Sequence, residues 1–164
     1  MRQRLKVAVF ITFAAALPSA ALAQASMKMR AAELTLAYLE DWSSDQRATL
    51  SRVQEVYAPR VRFYGRTLNH SGLYSEKRRV AERWPVRRYE FNPGTGRVLC
   101  DAHSSKCTVT GLLRWKAESP KRRAVSQGLA RFSQTLDFST GRPVVVAENG
   151  AVVKPPRIVR RSRL

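Results

Sequence analysis

Two cysteines and two histidines are all that 164 residues supply as thiol or imidazole groups. Cys100 and Cys107 flank Asp-Ala-His-Ser-Ser-Lys, so His103 is the one further ligand near them. Two thiolates and one imidazole fall short of the four ligands of a structural zinc. A redox-active pair is usually separated by two residues, and six intervene here. A metal site and a thiol redox centre are thereby excluded, and no cofactor is implied. His70 and His103 stand in polar loop contexts, Leu-Asn-His-Ser and Asp-Ala-His-Ser, which suit the surface better than a pocket base. Long apolar runs are lacking as well. The longest, Val7 to Leu17, stops at Pro18 and is short of the ~20 residues that span a bilayer. Acids are scarce, 12 against 30 lysines and arginines.

What is present begins with an export signal. Arg2, Arg4 and Lys6 form a positive segment without an acid, the apolar stretch follows, and Ala21-Leu22-Ala23 closes it with small residues where a signal peptidase needs them. Residues 1–23 are read as a signal peptide cut between Ala23 and Gln24, with Ala23-Gln24-Ala25 as a second small-x-small frame. The mature chain then has no transmembrane segment and is periplasmic or secreted. Residues 24–153 form one domain, and 154–164 a basic tail with two consecutive prolines, expected to be disordered.

Export changes the meaning of the charge and of the cysteines. Three basic residues fall in the signal and five in the tail, leaving 22 against 12 acids on the domain. Such a surplus suggests nucleic acid. Outside the cytoplasm the anionic partners are instead lipid head groups, acidic glycans or an acidic protein, so no nucleic acid is expected. In an oxidising compartment Cys100 and Cys107 are expected to form a disulfide across a polar hairpin loop, worth roughly 2–3 kcal/mol.

Along the domain, apolar residues first recur at helical spacing. Met27–Trp42 is expected to be a helix, with Leu34, Ala37, Tyr38 and Trp42 on it. Ser43-Ser44-Asp45 breaks it and caps a second helix, Gln46 to Tyr57, which Pro59 ends. Val61–Tyr64 reads as a short strand closed by Gly65, and a third helix spans Ser71 to Arg83. Beyond Pro85 the period becomes two: strands are expected at Val86–Phe91, Arg97–Cys100, Cys107–Lys116, Arg123–Phe138 and Pro143–Val153. This predicts an α+β fold of three N-terminal helices packed in a strongly curved mixed or antiparallel sheet, cone-like and open at one end.

Two passages carry a resemblance. Ala37-Tyr38-Leu39-Glu40-Asp41-Trp42-Ser43-Ser44 and Tyr57-Ala58-Pro59-Arg60-Val61-Arg62-Phe63-Tyr64-Gly65, with Glu76 to Pro85 as third helix, resemble the SnoaL-like branch of the nuclear transport factor two superfamily. The likeness spans about Ala32 to Val153. It implies a conical α+β fold, and either an isomerase, cyclase or dehydratase or a non-catalytic binding or dimerisation module, with a homodimer as one arrangement. Enzymes of that kind line the cone with an Asp or His base and a Tyr or acid partner. No residues here match a motif that would carry over such a dyad.

The candidate sites follow. Asp41 shares a helical side with Leu34 and Tyr38, and is read first as a solvated carboxylate near the helix end. Glu148 alternates with Val144, Val146 and Val152, a carboxylate on an apolar strand face, for which pairing with an arginine of a neighbouring strand is expected. Tyr38, Trp42, Tyr64, Trp84 and Trp115 are the aromatic pocket candidates, with core filling as the competing role. Lys77, Arg78, Arg79, Arg83, Arg87 and Arg88 make the densest basic face, with Lys77 tucked toward the core stripe. The leading expectation is an exported, non-enzymatic binding or protein-interaction module. The alternatives are a small-molecule isomerase, cyclase or dehydratase using Asp41 or Glu148, and a binder of anionic envelope components. An open cone with a carboxylate hydrogen-bonded to a tyrosine favours the enzyme; a sealed aromatic core removes both ligand-pocket readings.

Overall fold

The computed structural model describes residues 19–44 and 46–154. Residues 1–18 of the segment expected to be a signal peptide, and the tail beyond Lys154, lie outside the described residues. Helix α1, Ser19–Ser43, runs through the Ala23–Gln24 bond without a break. Its buried residues Ala31, Thr35, Tyr38, Leu39 and Trp42 recur every three or four positions, one stripe facing the sheet. On this helix Gln24 Nε2 donates to the Cys100 carbonyl at 3.3 Å.

Two short helices, α2 (Gln46–Ser51) and α3 (Val53–Val56), replace the single helix expected up to Tyr57. Tyr57 is already strand: β1 spans Tyr57–Phe63 and contains Pro59. Proline is tolerated there because β1's pairing with its parallel neighbour is irregular between Tyr57 and Arg62, and its antiparallel ladder starts only at Arg60. Tyr64 and Gly65, both at positive φ, form a two-residue hairpin turn. They lead into β2, Arg66–Asn69, a strand the sequence pattern did not suggest. Helix α4, His70–Arg83, follows, with the Asn69 side chain accepting from the Gly72 amide at 2.9 Å.

The remaining strands fall where the period-two pattern puts them: β3 Val86–Phe91, β4 Arg97–Asp101, β5 Lys106–Ser119, β6 Ala124–Asp137 and β7 Val144–Val152. The seven strands form one mixed sheet in the order β2-β1-β7-β6-β5-β3, with β4 also on β5. β1 and β7 are parallel; the other pairs are antiparallel. β3 and β4 share one edge of β5, at Leu113–Glu118 and Lys106–Thr110 respectively. Cys100 and Cys107 face each other in the β4–β5 ladder and are disulfide-bonded. The fold class is therefore the expected α+β, with α1 and α4 against one face of an unclosed sheet.

Two close approaches shape that sheet. A Cβ on Gly111 would run into the Phe91 ring, and one on Gly128 into the Trp115 indole. Glycine at these places lets an aromatic ring pack closely against the neighbouring backbone.

The packed face of the sheet is set by alternation in β5 and β6: Val109, Leu113, Phe132, Gln134 and Leu136 are buried. On β7 the alternation is broken. Thr135 pairs with Ala147 but Leu136 with Val145, so Val146 is an extra residue. This β-bulge brings Val145 and Glu148, three residues apart, onto the same inner face.

Candidate functional site

Glu148 is 5 % exposed and is met by side chains from three other elements. Tyr38 of α1 donates its hydroxyl to Glu148 Oε2 at 2.8 Å, and the Tyr57 hydroxyl of β1 reaches the same oxygen. The two phenol oxygens are 2.9 Å apart. With one proton each, both phenols donate to the charged acceptor, and Tyr38 accepts from Lys77 Nζ of α4 at 2.7 Å. Lys77 Nζ lies 3.5 Å from Glu148 Oε1. Its ammonium also lies over the Trp42 ring at 4.4 Å, 5.0 Å from the Tyr57 and Phe63 centroids and 5.2 Å from that of Tyr38. Four rings and a carboxylate thus compensate a cation withdrawn from water.

The electrostatics follow from burial. Both Tyr38 and Tyr57 are held well above the ordinary phenol range, by burial first and by the Glu148 charge second. They stay protonated and act as donors. Burial pushes the Lys77 amine down, Glu148 works against that shift, and Arg87 adds to it.

This cluster borders a cavity of about 340 Å³. Leu39, Trp42, Phe63, Leu113 and Phe132 supply apolar walls, and Lys77 and Glu148 the polar spot. Tyr64, half exposed, and the Arg66–Glu76 ion pair, at 2.9 Å, lie on its outer side. Glu148 therefore does lie on a mainly apolar face, but it shares that face with Val145 rather than Val144 and Val146. Its partner is Lys77 from a helix, not an arginine of a neighbouring strand.

The other candidates are dispersed. Asp41 pairs with Arg52 at 2.6 Å, its side chain 39 % exposed, away from the Glu148 cluster. Tyr38, Trp42 and Tyr64 line the cavity; Trp84 and Trp115 do not. Trp84 caps α4 with the Arg122 guanidinium 4.5 Å over its ring, and Trp115 covers Gly128 with Nε1 donating to Ser126 at 3.4 Å. His70 Nε2 sits 2.9 Å from the Tyr57 carbonyl, and His103 is exposed in the β4–β5 turn. Among the described residues no group of three or more His, Cys, Asp or Glu side chains could hold a metal.

The basic face expected on α4 and β3 is not one face. Lys77 and Arg87 are buried, because each lies on the inward stripe of its element. Arg87 donates to the carbonyls of Trp42 (3.3 Å), Ala81 (3.5 Å) and Trp84 (2.7 Å), tying the ends of α1 and α4 together. Of the exposed members, Arg78, Arg79 and Arg88 are spent on Glu82, Glu76 and Glu90.

A helix-lined, unclosed mixed sheet of this kind is shared by solved structures. The fold is that of the nuclear transport factor two superfamily. An NTF2-like superfamily protein from Salmonella enterica superposes with a TM-score of 0.68 at 10 % identity, covering 84 % of this chain and 99 % of that one. A candidate dehydratase of the NTF2-like family from Streptomyces avermitilis gives 0.65 at 8 % identity, over 79 % and 99 %. A candidate scytalone dehydratase from Novosphingobium aromaticivorans gives 0.64 at 6 % identity, over 82 % and 87 %. No protein-family model and no curated protein matches the sequence. The likeness is thus one of NTF2-like fold, at identities that carry no residue roles across.

Sequence reasoning missed Tyr57, and it counted Lys77 with the basic cluster while leaning its side chain toward the core stripe, where the structure buries it. The signal for Lys77 was its spacing, four residues from both Leu73 and Ala81, the buried positions of α4. For Tyr57 there is no local signal, since Tyr57-Ala58-Pro59 has the pattern of a helix end.

Proposed function

We propose that this is an exported protein, processed between Ala23 and Gln24, whose NTF2-like cavity binds a small, flat, largely apolar molecule through an oxygen function placed against Lys77 and Glu148. The carrying observation is the buried ion pair at the wall of an apolar cavity. An apolar pair of similar volume would stabilise the fold as well or better, so a carboxylate and an ammonium kept there are better explained by recognition. Lys77 can donate to a carbonyl or hydroxyl oxygen, and Glu148 Oε1, engaged among the described residues by Lys77, can accept from a hydroxyl. Calorimetric titration with 2-naphthol and with naphthalene tests this. The naphthol should bind about tenfold more tightly, the worth of one hydrogen bond to a charged group, and Glu148→Gln should erase that margin. Absence of binding by either compound would overturn the reading.

A second reading, that Glu148 moves a proton on the bound molecule, is favoured by the asymmetry of its carboxylate. Both tyrosines occupy Oε2, leaving Oε1 toward Lys77, which would stabilise a developing oxyanion. It accords with the dehydratase descriptions of two fold neighbours. Proton exchange at the carbon next to the carbonyl of 2-tetralone, followed by NMR in D2O, checks it. Exchange should be accelerated by the protein and lost in Glu148→Gln; no acceleration leaves binding alone.

Export is supported by the order of the N-terminal segments and is compatible with the Cys100–Cys107 bridge and with the finding that no described helix is long and apolar enough to cross a membrane. Mass analysis of the chain expressed in a cell with an export pathway should give Gln24 as first residue and no free thiol. An intact Met1 with two thiols would refute it.

A further inference from the structure

A group of arginines outside the ion pairs lies on the other side of the sheet from the cavity. Cross-strand partners share a face, so the registers place Arg97, Thr110, Ser133 and Asn149 in one outward row. Leu112, Arg131 and Ala151 make the next row, and Leu99, Thr108, Thr135, Ala147 and Arg62 the row on the other flank. These positions have the parity opposite to buried Val109, Leu113, Phe132 and Gln134. Arg62, Arg97 and Arg131 are exposed, and none of them takes part in the ion pairs found among the described residues. The acids of the outer face lie toward its ends, Glu90 and Glu118 at one and Asp101 and Asp137 at the other, and are engaged by Arg88, Lys116, Ser104 and Lys106.

Arg97 and Arg131 line a shallow depression of about 510 Å³ together with Thr95, Thr110, Ser133 and Asn149. Its charged side chains are all cationic. Asn149 Oδ1 already accepts from the Gly150 amide at 2.9 Å, which leaves its NH2 as a donor. Two guanidinium forks with hydroxyls and an amide donor suit the oxygens of a phosphate group.

We propose that this outer sheet face docks on an anionic phospholipid surface, with a head-group phosphate in the Arg97–Arg131 depression. Three features favour a lipid surface over a single free anion. The arginines are spread over β1, β4 and β6, matching an array of charges. Leu99, 74 % exposed, stands on the same face two residues from Arg97 and can enter the head-group layer. The domain as a whole carries the basic surplus that draws it to such a surface. A second copy of the chain fits poorly, because a two-fold interface here would oppose arginines with arginines. The inference is independent of the cavity reading, which concerns the opposite face.

Vesicle sedimentation of the full chain tests it, with phosphatidylcholine alone and with phosphatidylglycerol added, at low and at physiological salt. Binding should require phosphatidylglycerol and weaken with salt. Arg97→Gln/Arg131→Gln should weaken it about tenfold or more, while Arg78→Gln/Arg79→Gln, on α4, should leave it within about twofold. Both double variants replace exposed side chains, and circular dichroism verifies their folding. The proposal is overturned by any of four results: no phosphatidylglycerol-dependent binding at low salt; equal loss in the two double variants; binding of inorganic phosphate or RNA without vesicle binding; or a dimer that the Arg97→Gln/Arg131→Gln change dissociates.

Discussion

Lys77 and Glu148 meet at 3.5 Å with each side chain 6 % exposed, one from a helix and the other from the last strand of the sheet. Both charges are largely withdrawn from bulk water, so each depends on the other and on the phenols and rings around them.

That dependence sets the first expectation. Lys77→Met or Glu148→Gln alone should cost about 3–5 kcal/mol, because each leaves an uncompensated buried charge. The double variant should be less destabilised than the sum of the two, with a coupling of about 1–3 kcal/mol. Urea unfolding of the four proteins measures it; additive losses would show that the pair is not coupled.

The tyrosines give the second, through alkaline pH. Their hydroxyls titrate above the ordinary value near 10 in the folded state. In the window above that value the unfolded chain has lost protons that the folded chain keeps, so stability falls as pH rises. The Lys77 amine runs the other way. Held below its ordinary value of 10.5, it makes stability rise with pH just beneath that value. Melting temperature should therefore drop steeply above pH ~10, and less steeply in Tyr38→Phe/Tyr57→Phe. Equal slopes in the two proteins would count against neutral, buried phenols.

Arg87 gives the third. Its guanidinium serves three main-chain carbonyls at the ends of α1 and α4. Arg87→Met removes all three donors and should lower stability by about 2–4 kcal/mol. Arg87→Lys should recover little, since one ammonium cannot reproduce the planar fork. Full recovery by lysine in a chemical melt would mean that charge alone, not the fork, holds those ends.

Much of the architecture was legible in the chain. The change from helical to alternating period after Pro85, the strands from Val86 onward, helix α4 and the hairpin carrying Cys100 and Cys107 all follow from local pattern. Local pattern failed around Tyr57 and Arg66. Tyr57-Ala58-Pro59 looks like a helix end, yet pairing with β7 across the sheet draws Tyr57 into β1. β2 has no apolar alternation of its own, and exists because the Tyr64-Gly65 turn folds it back on β1.

The same division holds for the candidate site. The sequence by itself determined that Glu148 stands on an apolar strand, that Tyr38 and Trp42 share a helix stripe, and that Lys77 leans toward the core of α4. Each is a matter of spacing along one element. Only the tertiary structure decided that these residues meet, that Tyr57 joins them, and that Asp41, Trp84 and Trp115 do not. The bulge at Val146 turns Glu148 inward beside Val145, and four elements then converge on one carboxylate. Periodicity fixes the direction of a side chain within its own element. Its partner depends on how the elements pack, and a charge this deep is stable only when that packing brings its partner.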